Sequence, residues 1–129
     1  MTAIIDVEGN TQYIDDDTVV TLAGPAPADP PNRSYVTGPG VSPIQTNEDV
    51  AVLLARLRPK TPLAKLTRPN NTPVWVKGAA VSRLMAPTAN DIIPGELVGT
   101  VLYFGGLRQA VVEDVPAVRA IVNAHNGNV

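Results

Sequence analysis

The chain carries one short pattern twice at a fixed spacing: an extended segment, then Glu-Asp-Val, then a run with apolar residues at helical intervals. The first copy runs from Gly40 through Glu48-Asp49-Val50 to Leu57, the second from Gly105 through Glu113-Asp114-Val115 to Val122. Gly40, Val50, Leu53 and Leu57 lie 65 positions before Gly105, Val115, Val118 and Val122, with no gap. Such a repeat restricts the fold to two small strand-to-helix units, each with one apolar stripe to bury. It describes a scaffold rather than a catalytic cleft.

A chain of 129 residues holds one domain or two closely joined subdomains. The predicted fold class is α+β, mainly β hairpins with two short helices, arranged as two related strand-strand-helix units. An acidic, proline-rich N-terminal unit is expected over 1–58 and a basic hairpin-plus-helix C-terminal unit over 63–129. For the first helix, Thr46 is the expected cap with Asp49 at the third helical position, Val50, Leu53, Leu54 and Leu57 form the stripe, and Pro59 is the stop. For the second, Asp114 is the cap, Pro116 sits in the first turn, Val115, Val118, Ile121 and Val122 form the stripe, and Gly127 takes the left-handed terminal conformation.

Strands are expected at 3–7 and 19–22, with Asp15-Asp16-Asp17 as a solvated turn between them, and at 34–37, 41–45 and 81–85. Residues 23–31, with prolines at 25, 27, 30 and 31, read as a stiff extended arm or a surface loop. Segments 63–68 and 74–77 alternate with a period of two across Pro69-Asn70-Asn71-Thr72-Pro73 and predict a hairpin. In it Lys65 and Thr67 face away from Leu66, and Trp75 away from Val74 and Val76. Residues 86–99 read as an exposed loop. Segments 100–104 and 107–112 form a second hairpin, with Gly105 and Gly106 both accepting left-handed dihedrals.

Charge divides the chain. Residues 1–50 carry eight acidic groups against Arg33 alone, giving −7, and residues 51–129 carry nine basic against four acidic, giving +5. The halves read as solvated faces of one globule, as complementary surfaces of neighbouring copies, or as a nucleic-acid contact. Arg56, Arg58, Lys60, Lys65, Arg68, Lys77 and Arg83 follow one another with no acid between them, which is the best nucleic-acid signal here, and an acidic neighbouring subunit explains it equally well. With one Trp, three Tyr and one Phe, the core is thin, and burial against partners supplies what a monomer lacks.

The absence of cysteine removes disulfides and thiolate chemistry. The sole histidine, His125, is expected to be terminal and exposed, and nothing in its sequence neighbourhood completes a metal or nucleophilic set. Asp15-Asp16-Asp17 lacks the spaced ligand loop of a calcium site. No catalytic, cofactor-binding or metal residue is therefore assigned, no cofactor is expected, and the chain is not expected to be an enzyme. The N-terminus lacks a basic region and no apolar run reaches membrane-spanning length, so neither a secretory signal nor membrane insertion is expected.

Lys65-Leu66-Thr67-Arg68, Asn70, Val81, Leu84, Thr100-Val101-Leu102, Gly105-Gly106, Val111, Glu113, Val118 and Ile121 together resemble the small FlbD-like family associated with bacterial flagella and swarming. The resemblance covers 65–121, implies a hairpin-and-helix fold, and carries over no catalytic residue. The whole chain looks like a small bacteriophage structural protein. The resulting expectation is a capsid or tail accessory protein, located in the virion and in the cytoplasm before assembly. Its expected partners are copies of itself and other structural proteins. A nucleic-acid-binding or regulatory module and a flagellar-type assembly factor are the alternatives. Trp75, Pro27, Pro30, Pro31, Tyr35, Arg56, Arg58, Lys65, Arg68 and Lys77 are the interface candidates, Trp75 reading also as a ligand platform or as partly buried core.

Overall fold

The computed structural model describes residues 1–40, 42–92 and 94–129, and the chain folds into two compact units, Met1–Pro62 and Leu63–Val129. In the first, β1 (Thr2–Ile5) and β2 (Thr11–Ile14) form an antiparallel hairpin with Thr2 opposite Ile14. A single 3-10 turn at Asp16–Thr18 leads to β3 (Thr21–Ala23), β4 (Ser34–Thr37) and β5 (Ile44–Thr46), an antiparallel meander, and then to helix α1 (Val50–Arg56). The second unit has the hairpin β6 (Ala64–Thr67) and β7 (Pro73–Val76), a 3-10 turn at Gly78–Ala80, and the meander β8 (Arg83–Met85), β9 (Thr100–Phe104) and β10 (Leu107–Val111). Helix α2 (Val115–Ala124) completes it. The α+β class dominated by β hairpins is what the structure shows.

Element order and pairing are the same in both units, so the repeat is far larger than the Glu-Asp-Val segment. The second unit differs by one extra 3-10 turn, Ala89–Asp91, in the long β8–β9 connection. Ile4, Ile14 and Val19 are buried, and so are Leu66, Val76 and Val81, the residues 62 positions later. Even the hairpin turns agree. Gly9 (φ 85°) and Asn71 (φ 66°) hold the left-handed position, and their N–H groups donate to Asp6 O at 3.0 Å and Arg68 O at 2.9 Å. Glycine adopts that conformation freely and asparagine tolerates it, so two dissimilar sequences close the same turn.

Several expectations are corrected. Strand β2 has no counterpart in the sequence reading, because Thr11-Gln12-Tyr13-Ile14 buries only Ile14 and shows little apolar patterning. The turn after β1 is at residues 6–10, and Asp15-Asp16-Asp17 follows β2 as the start of the 3-10 turn. Asp49, not Thr46, caps α1, its carboxylate accepting from Ala51 N–H at 3.0 Å. Thr46 is instead a fully buried strand residue. The strand expected from Val41 is seen over Ile44–Thr46, and Val41 itself lies outside the described residues. The loop expected over 86–99 contains the 3-10 turn, and Ile93 within it also lies outside the described residues.

In the β9–β10 turn only Gly105 is left-handed, at φ 70°, a sign pattern that suits a two-residue hairpin with glycine first. At the end of α2 the left-handed residue is Asn126, at φ 67°. Gly127 is required for another reason: its N–H reaches Val122 O at 2.9 Å, as in a Schellman cap, and a Cβ there would collide with the Val122 side chain. Asp114 caps α2 as expected, accepting from Ala117 N–H at 3.0 Å.

The buried stripes reduce to Leu53 and Leu57 in the first unit and Val118 and Val122 in the second, the matched positions of the repeat. Ile121 is only half-buried, so it carries less of the core than its place in the stripe implies. Leu53 is 0% exposed and its neighbour Val52 48%. Leu53→Ala is expected to cost about 2–5 kcal/mol and Val52→Ala less than about 0.5 kcal/mol, read as a shift in urea midpoint at constant m-value.

Candidate interaction surface

Each unit is closed by a strand-to-helix junction built from a glutamate, an aspartate and a buried hydroxyl. In the first, Ser34 Oγ donates to Glu48 O at 2.7 Å and the Glu48 carboxylate accepts the N–H of Ile5, in β1, at 3.1 Å. In the second, Thr100 Oγ1 donates to Glu113 O at 2.8 Å and the Glu113 carboxylate accepts the N–H of Thr67, in β6, at 3.1 Å. Ser34 and Thr100 are fully buried, so each hydroxyl needs its partner. The Glu of the repeated Glu-Asp-Val thus ties the helix start to the hairpin, and the Asp caps the helix. Sequence reading linked neither glutamate to the hairpin; the signal was their recurrence immediately before the cap.

The basic interface candidates of the first unit are engaged within it. Arg56 grips Glu48 with two bonds, at 2.7 and 3.0 Å, and donates to Ala3 O at 2.9 Å. The guanidinium holds the Glu48 carboxyl below the usual carboxylate range, and Glu48 in turn raises Arg56. The N–H groups of Arg58 and Lys60 donate to the Asp16 and Asp17 carboxylates, both at 2.7 Å. Asp16 and Asp17 are therefore structural acceptors rather than members of a solvated turn. They hold the segment after α1 to the first unit. Moving Arg56, Arg58 and Lys60 into that unit changes the charge balance: Met1–Pro62 has eight acidic and four basic side chains, −4, and Leu63–Val129 four acidic and six basic, +2.

Pro27, Pro30 and Pro31 are exposed, in a folded surface loop and not an extended arm. Asp29 closes it: its carboxylate accepts from Ala26 N–H at 2.9 Å and from the Tyr35 hydroxyl at 2.6 Å. The hydrogen bond to Asp29 and partial burial raise the Tyr35 pKa. In the second unit Lys65 and Trp75 are cross-strand partners, and the Lys65 ammonium sits 5.7 Å from the ring centroid. Trp75 is half-buried on the face opposite Val74 and Val76, and Lys65 covers one side of the ring a stacked base would use. Arg68 Nε donates to Thr72 Oγ1 at 2.8 Å across the hairpin turn, and Lys77 is half-buried at the end of β7.

Three polar contacts of the second unit were not anticipated. Arg83 stacks on Tyr103, 4.1 Å from the ring centroid, and Arg108 pairs with Asp91. Hydrogen bonds from Thr88, then Arg108, hold the Asp91 carboxyl low. His125 is half-buried, not exposed, with its Nδ1 2.7 Å from Ile121 O; since a carbonyl only accepts, the ring nitrogen donates. Each unit also carries a shallow cleft. One, about 350 Å³, is lined by Asp6, Glu8, Gln12 and Gln45 among others; the other, about 430 Å³, is lined by Arg83, Leu84, Val115 and Arg119 among others. Among the described residues no group of His, Asp and Glu is placed to hold a metal ion, and no helix is long and apolar enough to cross a membrane.

Comparison of the chain with protein-family models, with curated proteins and with solved structures gave no match in any of the three.

Asp6, Glu48 and Asp91 all have lowered pKa values, through the Gln12 amide and Asn10 N–H for Asp6, Arg56 for Glu48 and Thr88 for Asp91. A lowered folded-state value means stability that is present above the ordinary carboxylate range and lost as pH falls through the folded-state value. The thermal midpoint is expected to stay level from about pH 7 to about pH 5 and to fall steadily below about pH 4. Glu48→Gln is expected to lower the neutral-pH midpoint and flatten the acid limb, measured by circular dichroism melts across that range.

Proposed function

We propose that this chain is a non-enzymatic structural or assembly protein that works as a homo-oligomer within a larger particle, specifically a bacteriophage capsid or tail accessory protein of the decoration, connector or minor structural kind. The observation that carries the reading is a doubled small unit whose copies have opposite net charge and both expose large apolar side chains. Ile5 and Tyr13 are exposed in one and Met85, Ile92, Leu97 and Leu107 in the other. Exposed apolar groups beside charge of opposite sign favour association and orient it. Its partners in this reading are further copies and other structural proteins of the particle, and its location is the virion after a cytoplasmic stage.

Native mass measurement and light scattering test the reading. Oligomers at multiples of the chain mass are expected, weakening as salt is raised from about 50 mM to about 500 mM, because exposed charge pairs are screened over that range. A monomer at every concentration and salt level would overturn it. The nucleic-acid alternative draws on Lys65, Arg68 and Lys77; it predicts DNA or RNA binding that falls steeply with salt and with their neutralisation. Detection of the chain in purified virions separates the phage reading from a flagellar-type assembly factor.

A further inference from the structure

The two units differ sharply at two matched strands. β3 is buried along its whole length, at Thr21, Leu22 and Ala23, whereas its counterpart β8 exposes Arg83 and Met85 and half-buries Leu84. β7 buries Val74 and Val76 and half-buries Trp75, whereas its counterpart β2 exposes Thr11 and Tyr13, the latter to 70%. Each unit therefore leaves uncovered one strand whose counterpart is covered, and the strand is a different member of the unit in each case. Among the described residues β2 pairs only with β1 and β8 only with β9, so both present an outer edge with unused backbone donors and acceptors.

The surroundings of the two edges are opposite in sign. β8 contributes Arg83 and Leu84 to the 430 Å³ groove that also holds Arg119 and Val115. β2 contributes Gln12 to the 350 Å³ cleft that holds Asp6 and Glu8, and it runs directly into the exposed Asp15. Two short edges of complementary charge, each flanked by a shallow groove and carrying an exposed large apolar side chain, are suited to each other.

We infer that the β8 edge of one copy of this chain takes up the β2 edge of a second copy, so that copies join head to tail. The inference rests on the assembly reading above and names its contact. Every pairing described within either unit is antiparallel, and an antiparallel addition brings Arg83, at the start of β8, to the Ile14–Asp15 end of β2. The same direction brings Met85 towards Thr11. Main-chain hydrogen bonds supply the attraction in such strand addition and the flanking side chains select the partner. Because the two edges are different surfaces, the contact is heterologous: it closes into a ring if the rotation per copy permits and otherwise extends as a filament.

Charge reversal with mixing tests the contact. Arg83→Glu alone sets like charges against Asp15 of the next copy, and Asp15→Lys alone sets them against Arg83. Each variant is expected to need about tenfold or more higher concentration to assemble, since charges facing across strands change sign from attraction to repulsion. An equimolar mixture restores opposite charges at every contact, and assembly is expected to return to the wild-type concentration. If the wild type assembles and both variants do so equally well, the contact lies elsewhere and this inference fails while the assembly reading stands. If the wild type is monomeric throughout, both fail. Because Asp15 caps the 3-10 turn, circular dichroism checks that the variants fold. If they do not, amide exchange of the wild type decides: protection of β2 and β8 that rises with concentration supports the contact, and exchange independent of concentration overturns it.

Discussion

The start of each helix is the constraint on which both units depend. A short helix leaves its first N–H groups without intrahelical partners, and α1 and α2 each begin where a strand has just ended. Asp49 and Asp114 accept one of those N–H groups, while the preceding glutamate turns to a different strand and accepts its main-chain N–H. A buried hydroxyl then ties down the carbonyl of that same glutamate. Three consecutive polar interactions thus fix helix, meander and hairpin together. Removing the hydroxyl would leave the carbonyl of a half-buried glutamate without that partner, a loss of about 1 kcal/mol that matters to a small unit.

Around this shared junction the two units have gone different ways. The first reinforces its glutamate with Arg56, which also reaches the Ala3 carbonyl. The second has Ile121 at the matching position and places Arg83 on Tyr103 and Arg108 on Asp91 instead. The buried positions stay apolar in both, Leu53 against Val118 and Leu57 against Val122, because packing at those points tolerates only modest changes in volume. Surface charge carries no such restriction, and it is there that one unit became acidic and the other basic.

The same contrast explains the candidate interface residues. Arg56 and Arg58 read in sequence as part of one basic stretch, but the fold turns the Arg56 guanidinium to Glu48 and that of Arg58 to the Ala55 and Leu57 carbonyls. The proline-rich segment reads as an extended arm or a surface loop, and the Asp29 bonds to Ala26 and Tyr35 make it the loop. Of the two exposed strand edges, β8 falls within the strand expected over 81–85, whereas β2 is hardly marked in sequence because Thr11-Gln12-Tyr13-Ile14 shows little apolar patterning.

The sequence by itself determined the features that depend on neighbours a few residues away. These are the Asp114 cap, the position of the Gly105 turn, the alternation that puts Leu66 and Val76 inside and Lys65 and Trp75 outside, and the apolar positions shared by the two helices. Such features follow from backbone dihedral preference and from the periods of helix and strand. Only the tertiary structure decided that Thr11–Ile14 is a strand, that Thr46 is buried while Asp49 caps, that Asp16 and Asp17 hold the chain beyond α1, and that the repeat spans the whole of each unit. Several of these rest on a partner far along the chain, as with Thr46 and Ile5, 41 residues apart, or Asp16 and Arg58, 42 apart. A hydrogen bond of that range leaves no periodic trace in sequence, because any segment with a free main-chain N–H or carbonyl can supply the partner.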